Sequence, residues 1–311
     1  FTDKIVNVKE GLINNGFTFS TEAWLNKMEK AVRRGHNEAI DKSKGGMYIG
    51  DPKTSPEIPI SPADLAESRV GTDTCIYVIR HGIKLDEDPS VAESYQLTQV
   101  EQDNLKLLAD SFEKIVLVLN TGILELAAVA RMKNVKAILL MGLPGMEAGN
   151  SLADVLTGAV NPSGRLSVTW AKKFKDYSTC QSIPARNKSA RGNEIDYKEG
   201  IYVGYRYFDS FDVTPLYPFG YGLSYTTFDM NVEYVEASWM SIMLRVKVTN
   251  TGKVAGRQVV QVYCTQPEGR IEKPYQILAG FGKTGKLKPG EFEELAIKIP
   301  IMSLCSFDEE S

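Results

Sequence analysis

Leu216-Tyr217-Pro218-Phe219-Gly220-Tyr221-Gly222-Leu223-Ser224-Tyr225-Thr226-Thr227-Phe228 is the stretch that organises this chain. It concentrates aromatics and glycines where the composition changes. Before it, buried-type strands alternate with helical patterns. After it, only short alternating strands follow. Such a change marks a joint between two domains of different class. A chain of 311 residues has room for two, at roughly 150 residues each.

Upstream of the joint, three apolar runs read as strands: Thr74 to Arg80, Lys114 to Asn120 and Val135 to Met141. They are near-continuous, which suits strands buried on both faces of a parallel sheet. Helical patterns lie between them. Thr98 to Phe112 carries Val100, Leu105, Leu107, Leu108 and Phe112, with Thr98 as N-cap and Glu101 closing a capping box. Leu124 to Met132 reads as a shorter helix. Gly149 to Gly158 reads as another, ended by the turn Asn161-Pro162-Ser163-Gly164. The first fifty residues are mostly helical in pattern, notably Thr21 to Ile40, with no obvious first strand. Together these predict an α/β, doubly wound, mostly parallel sheet. Ligands of such sheets sit beyond the carboxyl ends of the strands, so the loops after Arg80 and Met141 are the places to look.

Ile201 to Phe208 is aromatic and β-like. Beyond the joint, strands are expected near Met230–Val235, Ser241–Thr249, Arg257–Thr265, Gln276–Lys283 and Glu291–Ile299, separated by turn signals such as Asn250-Thr251-Gly252-Lys253. This is an all-β sandwich pattern, about two strands short of seven.

Net charge is −3, from 36 basic and 39 acidic residues, so electrostatics make no case for a nucleic-acid partner. No apolar run approaches the ~20 residues that span a bilayer. Phe1-Thr2-Asp3-Lys4 does not open a signal peptide, which favours a cytoplasmic location. The four cysteines (Cys75, Cys180, Cys264, Cys305) are scattered and only two histidines are present, His36 and His81. Reduced thiols and no metal are expected. No phosphate-binding loop is present, and no cofactor is implied.

Five stretches carry a family resemblance: Leu143-Pro144-Gly145-Met146-Glu147-Ala148-Gly149, Leu152 to Gly158, Asn161 to Leu166, Gly200 to Phe208, and the joint. Val248 to Gly252 and Val259 to Tyr263 add to them. In this order they resemble glycoside hydrolase family 3. The resemblance implies an α/β-sandwich domain over 1–175 lacking its first strand, a linker and aromatic joint over 176–224, and a fibronectin type III-like sandwich over 225–311. It implies part of a retaining β-glucosidase acting on a β-glucoside or oligosaccharide. Its nucleophilic Asp would lie on a (β/α)₈ barrel outside this chain, because such a barrel takes about 250 residues. The α/β sandwich would supply the acid/base Glu.

In the family that Glu follows a strand ending in Arg. Here the strand ends at Arg80 and continues His81-Gly82-Ile83-Lys84-Leu85-Asp86-Glu87-Asp88. Counting without gaps puts Lys84 at the Glu position, where a lysine serves as acid only with its pKa lowered by several units. A shifted loop brings Glu87 into the role, or the three carboxylates are a solvated acidic loop. Arg80, His81 and Asp86 are the expected substrate contacts; for Arg80 and His81 a structural role competes. Tyr205, Tyr207, Tyr217 and Tyr221 either stack on sugar or bury the joint. The competing functional reading is a non-catalytic, carbohydrate-binding or structural homologue, with a homo-oligomer left open.

Overall fold

A computed structural model describes residues 5–42, 57–81, 95–181 and 198–308. Two compact units emerge, Phe1–Leu156 and Thr157–Ser311.

The first unit is built on a parallel sheet of three strands in the order β1 (Thr74–Arg80), β2 (Lys114–Asn120), β3 (Val135–Leu140). All three expected strands form, within one residue of their predicted ends. β1 and β2 run in unbroken register from Thr74 opposite Lys114 to Arg80 opposite Asn120. The central strand is the most deeply buried, as its Ile, Val and Leu run requires. β3 departs from the expectation. It is one of the two edge strands among the described residues, and its last residue, Leu140, is 45% exposed. An apolar run marks a strand but not its place in the sheet.

Helices α1 (Val8–Asn14), α2 (Glu22–Lys42) and α3 (Pro62–Ser68) precede the sheet. Helix α4 (Gln99–Ala109) crosses from β1 to β2 and buries Leu105 and Leu108. Its start is the predicted capping box: Thr98 Oγ1 accepts from Glu101 N, and the Glu101 carboxylate accepts from Thr98 N. Helix α5 (Ala148–Thr157) follows β3.

The expected helix over Leu124–Met132 does not form. Only a 3₁₀ turn at Val129–Arg131 is present. Leu124 and Leu126 are both fully buried, a spacing of two, and Glu125 N donates to Tyr95 O at 2.7 Å. The start of the segment is pinned to residue 95, so tertiary pairing overrode a weak local pattern.

The second unit contains the five expected strands. β4 (Phe228–Ala237), β5 (Ser241–Asn250) and β8 (Phe292–Pro300) form one antiparallel sheet, and β6 (Val259–Cys264) pairs with β7 (Ile277–Lys283). Val246, Val248, Val260, Leu287, Ile297 and Ile299 form the core between them. Ile201–Phe208, expected as β-like, instead leads into helix α6 (Tyr205–Ser210). Gly204 at φ 58° makes the turn into it, a backbone region that favours glycine. Helical spacing lets Tyr207 reach Phe211 with ring centroids 5.1 Å apart and buries Phe208.

The aromatic joint lies inside this second unit. Leu216 N and Tyr217 N donate to Trp170 O, Trp170 N donates to Tyr217 O, and Leu166 N donates to Tyr221 O. Tyr217 and Tyr221 stack on each other at 5.1 Å. Asn161 Oδ1 accepts from Ser224 Oγ and Tyr225 N, tying Asn161-Pro162-Ser163-Gly164 to the joint.

Asn250 is the buried hub of the sandwich. Its Oδ1 accepts from Thr226 Oγ1 (2.7 Å) and Gly252 N (3.1 Å), and its Nδ2 donates to Val254 O and Leu287 O, both at 2.8 Å. Asn250→Ala strands buried partners on four sides. It is expected to cost about 2 kcal/mol, from a ~1–3 kcal/mol penalty for orphaned buried polar groups. The check is the urea midpoint, with the slope unchanged.

Candidate functional site

The site lies at the carboxyl end of β1. Parallel alignment brings Arg80 opposite Asn120, and Asn120 Nδ2 donates to Gly142 O at 2.6 Å, so the exit loops of β2 and β3 are tied together. Arg80 is exposed at this edge. Leu143 and Glu147 are exposed on the loop after β3, where Glu147 accepts from Asn150 Nδ2 at 2.6 Å.

Behind the edge sits a buried polar cluster. The His81 side chain is only 8% exposed, and its Nε2 lies 2.9 and 3.0 Å from the two oxygens of Glu101, a residue 1% exposed. A carboxylate can only accept, so Nε2–H is the donor. Glu101 Oε2 also accepts from Thr98 N at 2.7 Å and Thr98 Oγ1 at 3.0 Å. Three donors thus converge on one carboxylate at a helix N-terminus, where the helix dipole favours negative charge.

A second carboxyl lies close by. Tyr77 Oη donates to Glu57 Oε1 at 2.7 Å, and Asn104 Nδ2 donates to Tyr77 Oη at 3.3 Å. Asn104 also clasps the chain beside Glu57, donating to Ile58 O and accepting from Ile60 N. Burial raises the Glu57 pKa above the ordinary carboxyl value; the Tyr77 hydrogen bond opposes this, and the Glu101 charge adds to it. Burial, then the Glu57 carboxylate, pushes the Tyr77 hydroxyl upward. Cys75, on the same strand, is pushed up to about 12 by burial, so it is no thiolate nucleophile.

A carboxyl whose pKa is raised by folding takes up a proton in the folded state. Its favourable contribution is complete below the unfolded value and is lost as pH rises through the folded value. Glu57→Gln keeps an acceptor for Tyr77 and removes the buried charge. The variant should therefore melt higher than the parent at neutral pH, and the two should converge as pH falls below the ordinary glutamate range. Melting curves across that range check this.

Of the residues expected at the site, Arg80 and His81 meet at the strand end. Asp86, Glu87 and the rival Lys84 lie outside the described residues. Glu101 was legible only as a capping residue. Glu57, Tyr77 and Asn104 carried no signal in the sequence, apart from the spacing that puts Asn104 on the same helix face as Glu101. Among the described residues no group of three His, Cys, Asp or Glu side chains is placed to hold a metal ion, and the four cysteines are separate thiols. No helix among the described residues is long and apolar enough to cross a membrane.

Known proteins resemble this chain along most of its length. The family model for the glycosyl hydrolase family 3 C-terminal domain matches residues 13–225, and that for a fibronectin type III-like domain matches 258–311. A beta-glucosidase from Ruminococcus albus is 31% identical over 98% of the chain, which spans 31% of that protein's length. One from Rhizobium radiobacter is 34% identical over 88% of the chain, which spans 34% of its length. Among solved structures, a beta-glucosidase from Paenibacillus barengoltzii superposes with a TM-score of 0.87 at 30% identity, covering 99% of the chain and 33% of its own. Beta-glucosidase 3B from Thermotoga neapolitana, in complex with glucose, gives 0.81 at 33% identity, covering 99% and 43%. The chain spans about a third of the length of these curated relatives.

Proposed function

Because the chain belongs to glycosyl hydrolase family 3, we propose that it is the accessory part of a retaining β-glucosidase and supplies the acid/base group to a barrel that carries the nucleophile. In that assembly the barrel's Asp attacks the anomeric carbon while Glu87 protonates the departing oxygen. The two carboxyl groups stand roughly 5–5.5 Å apart, and Glu87 then serves as base for the attacking water. Arg80 and Asp86 are assigned to the sugar hydroxyls; a planar guanidinium at a strand end suits that task.

The observation that carries this reading is the placement of Arg80 and His81. They stand at the carboxyl edge of β1, directly before the acidic stretch, where parallel sheets bind ligands. The test joins the chain to its barrel and follows an aryl β-glucoside by NMR. Hydrolysis with β-glucose as the first product, and none from the chain alone, is expected. An assembly that binds glucoside without turnover overturns it in favour of the non-catalytic reading, which rests on Lys84 at the ungapped acid position.

A further inference from the structure

We propose that His81 and Glu101 form a positioning pair: their buried contact fixes where, and in which direction, the chain leaves β1 for the acidic stretch. This rests on the reading that the acid/base group lies in that stretch.

Both side chains are almost wholly buried, so neither is available to a sugar. Glu101 does more than a capping box needs. Its Oε2 already takes the Thr98 N–H and O–H, and it still engages His81 through both oxygens. Its helix is tied to the neighbouring elements as well. One helical turn further on, Asn104 of α4 is locked to residues 58 and 60 and to Tyr77 of β1. His81, the first residue past β1, is therefore anchored to a carboxylate that is held by its own helix and by the strand. Two ionisable groups buried this way add little net stability compared with apolar packing. Their advantage is directional, because an imidazole donor on a fixed carboxylate allows few ring orientations. A general acid displaced by about 1 Å loses on the order of 10²-fold in rate, so an anchor at the strand end that precedes the acidic stretch in sequence has kinetic weight.

The test compares His81→Leu, His81→Gln and Glu101→Gln in the chain assembled with its barrel. Two substrates are used: phenyl β-glucoside, whose leaving group needs protonation, and 2,4-dinitrophenyl β-glucoside, whose leaving group does not. His81→Leu and Glu101→Gln should lower kcat/KM on the phenyl substrate by about 10- to 100-fold. Both should leave kcat/KM on the dinitrophenyl substrate within about twofold, because that ratio reports the first step only. His81→Gln keeps an N–H donor and should recover most of the loss. An equal fall on both substrates, or no fall, overturns the proposal; a merely structural role gives the first. If His81→Leu does not fold, Glu101→Gln decides by the same split. Glu87→Ala run alongside separates the two readings. A Glu87→Ala variant without leaving-group dependence removes Glu87 as the acid, while the His81 result is still judged on its own split.

Discussion

Glu87→Ala, in the chain assembled with its barrel, should lower kcat on phenyl β-glucoside by about 10²–10⁴-fold, the usual worth of a positioned general acid. The loss in kcat/KM should shrink toward nothing for a dinitrophenyl leaving group, which departs without a proton. With the base also gone, water attacks the glycosyl-enzyme slowly. Azide needs no deprotonation, so with the dinitrophenyl substrate, where this second step limits kcat, it should restore turnover and yield glucosyl azide. The basic limb of the pH–rate profile, which reports loss of the acid's proton, should disappear. A variant with parental rates on both substrates leaves Lys84 or a non-catalytic stretch as the remaining readings. The sequence places Glu87 among Asp86 and Asp88, and neighbouring carboxylates raise one another's pKa, as an acid working near neutrality requires.

The largest expected effect on stability is at Gly149. Val6 O accepts from Gly149 N at 3.0 Å, and Val6 N donates to Met146 O at 2.8 Å, so the segment leading into α1 lies against the start of α5. A Cβ at Gly149 would sit 1.9 Å from Asn7 O, and one at Gly11 would sit 1.9 Å from Gly149 C. Both obstacles are backbone, so no side chain can swing away. Gly149→Ala is expected to destabilise by about 3 kcal/mol, the upper part of the overpacking range. That is roughly 6–12 °C in Tm for a unit of this size. The sign is diagnostic, because the same change in an unobstructed helix stabilises by about 1 kcal/mol. A higher Tm for the variant rules out the close contact.

The elements were largely legible because their signals are local. All three parallel strands and all five antiparallel ones were expected, and the Thr98–Glu101 capping box formed as read. The two misreadings have physical causes. Residues 205–210 are rich in β-favouring aromatics, yet ring packing around Phe208 and a glycine turn make them helical. Residues 124–132 hold apolar side chains that suit a helix. A backbone bond from Glu125 to Tyr95 and the burial of Leu124 and Leu126 hold the start of the segment out of a helix, and only a 3₁₀ turn forms, at Val129–Arg131.

What the sequence determined by itself was the order and type of elements, the change of class across the joint, and the motifs that place the chain in its family. Hydrophobic period, caps and turn residues act within a few positions of one another, so they can be read without neighbours. The tertiary structure alone decided which side chain answers His81, where the joint's aromatics stack, and that Gly149 meets the backbone at residue 7. His81 and Glu101 are twenty residues apart. Their contact depends on how far β1 runs and where the crossover sets down α4. Strand register and helix packing fix those distances, and neither leaves a mark on any single stretch of chain.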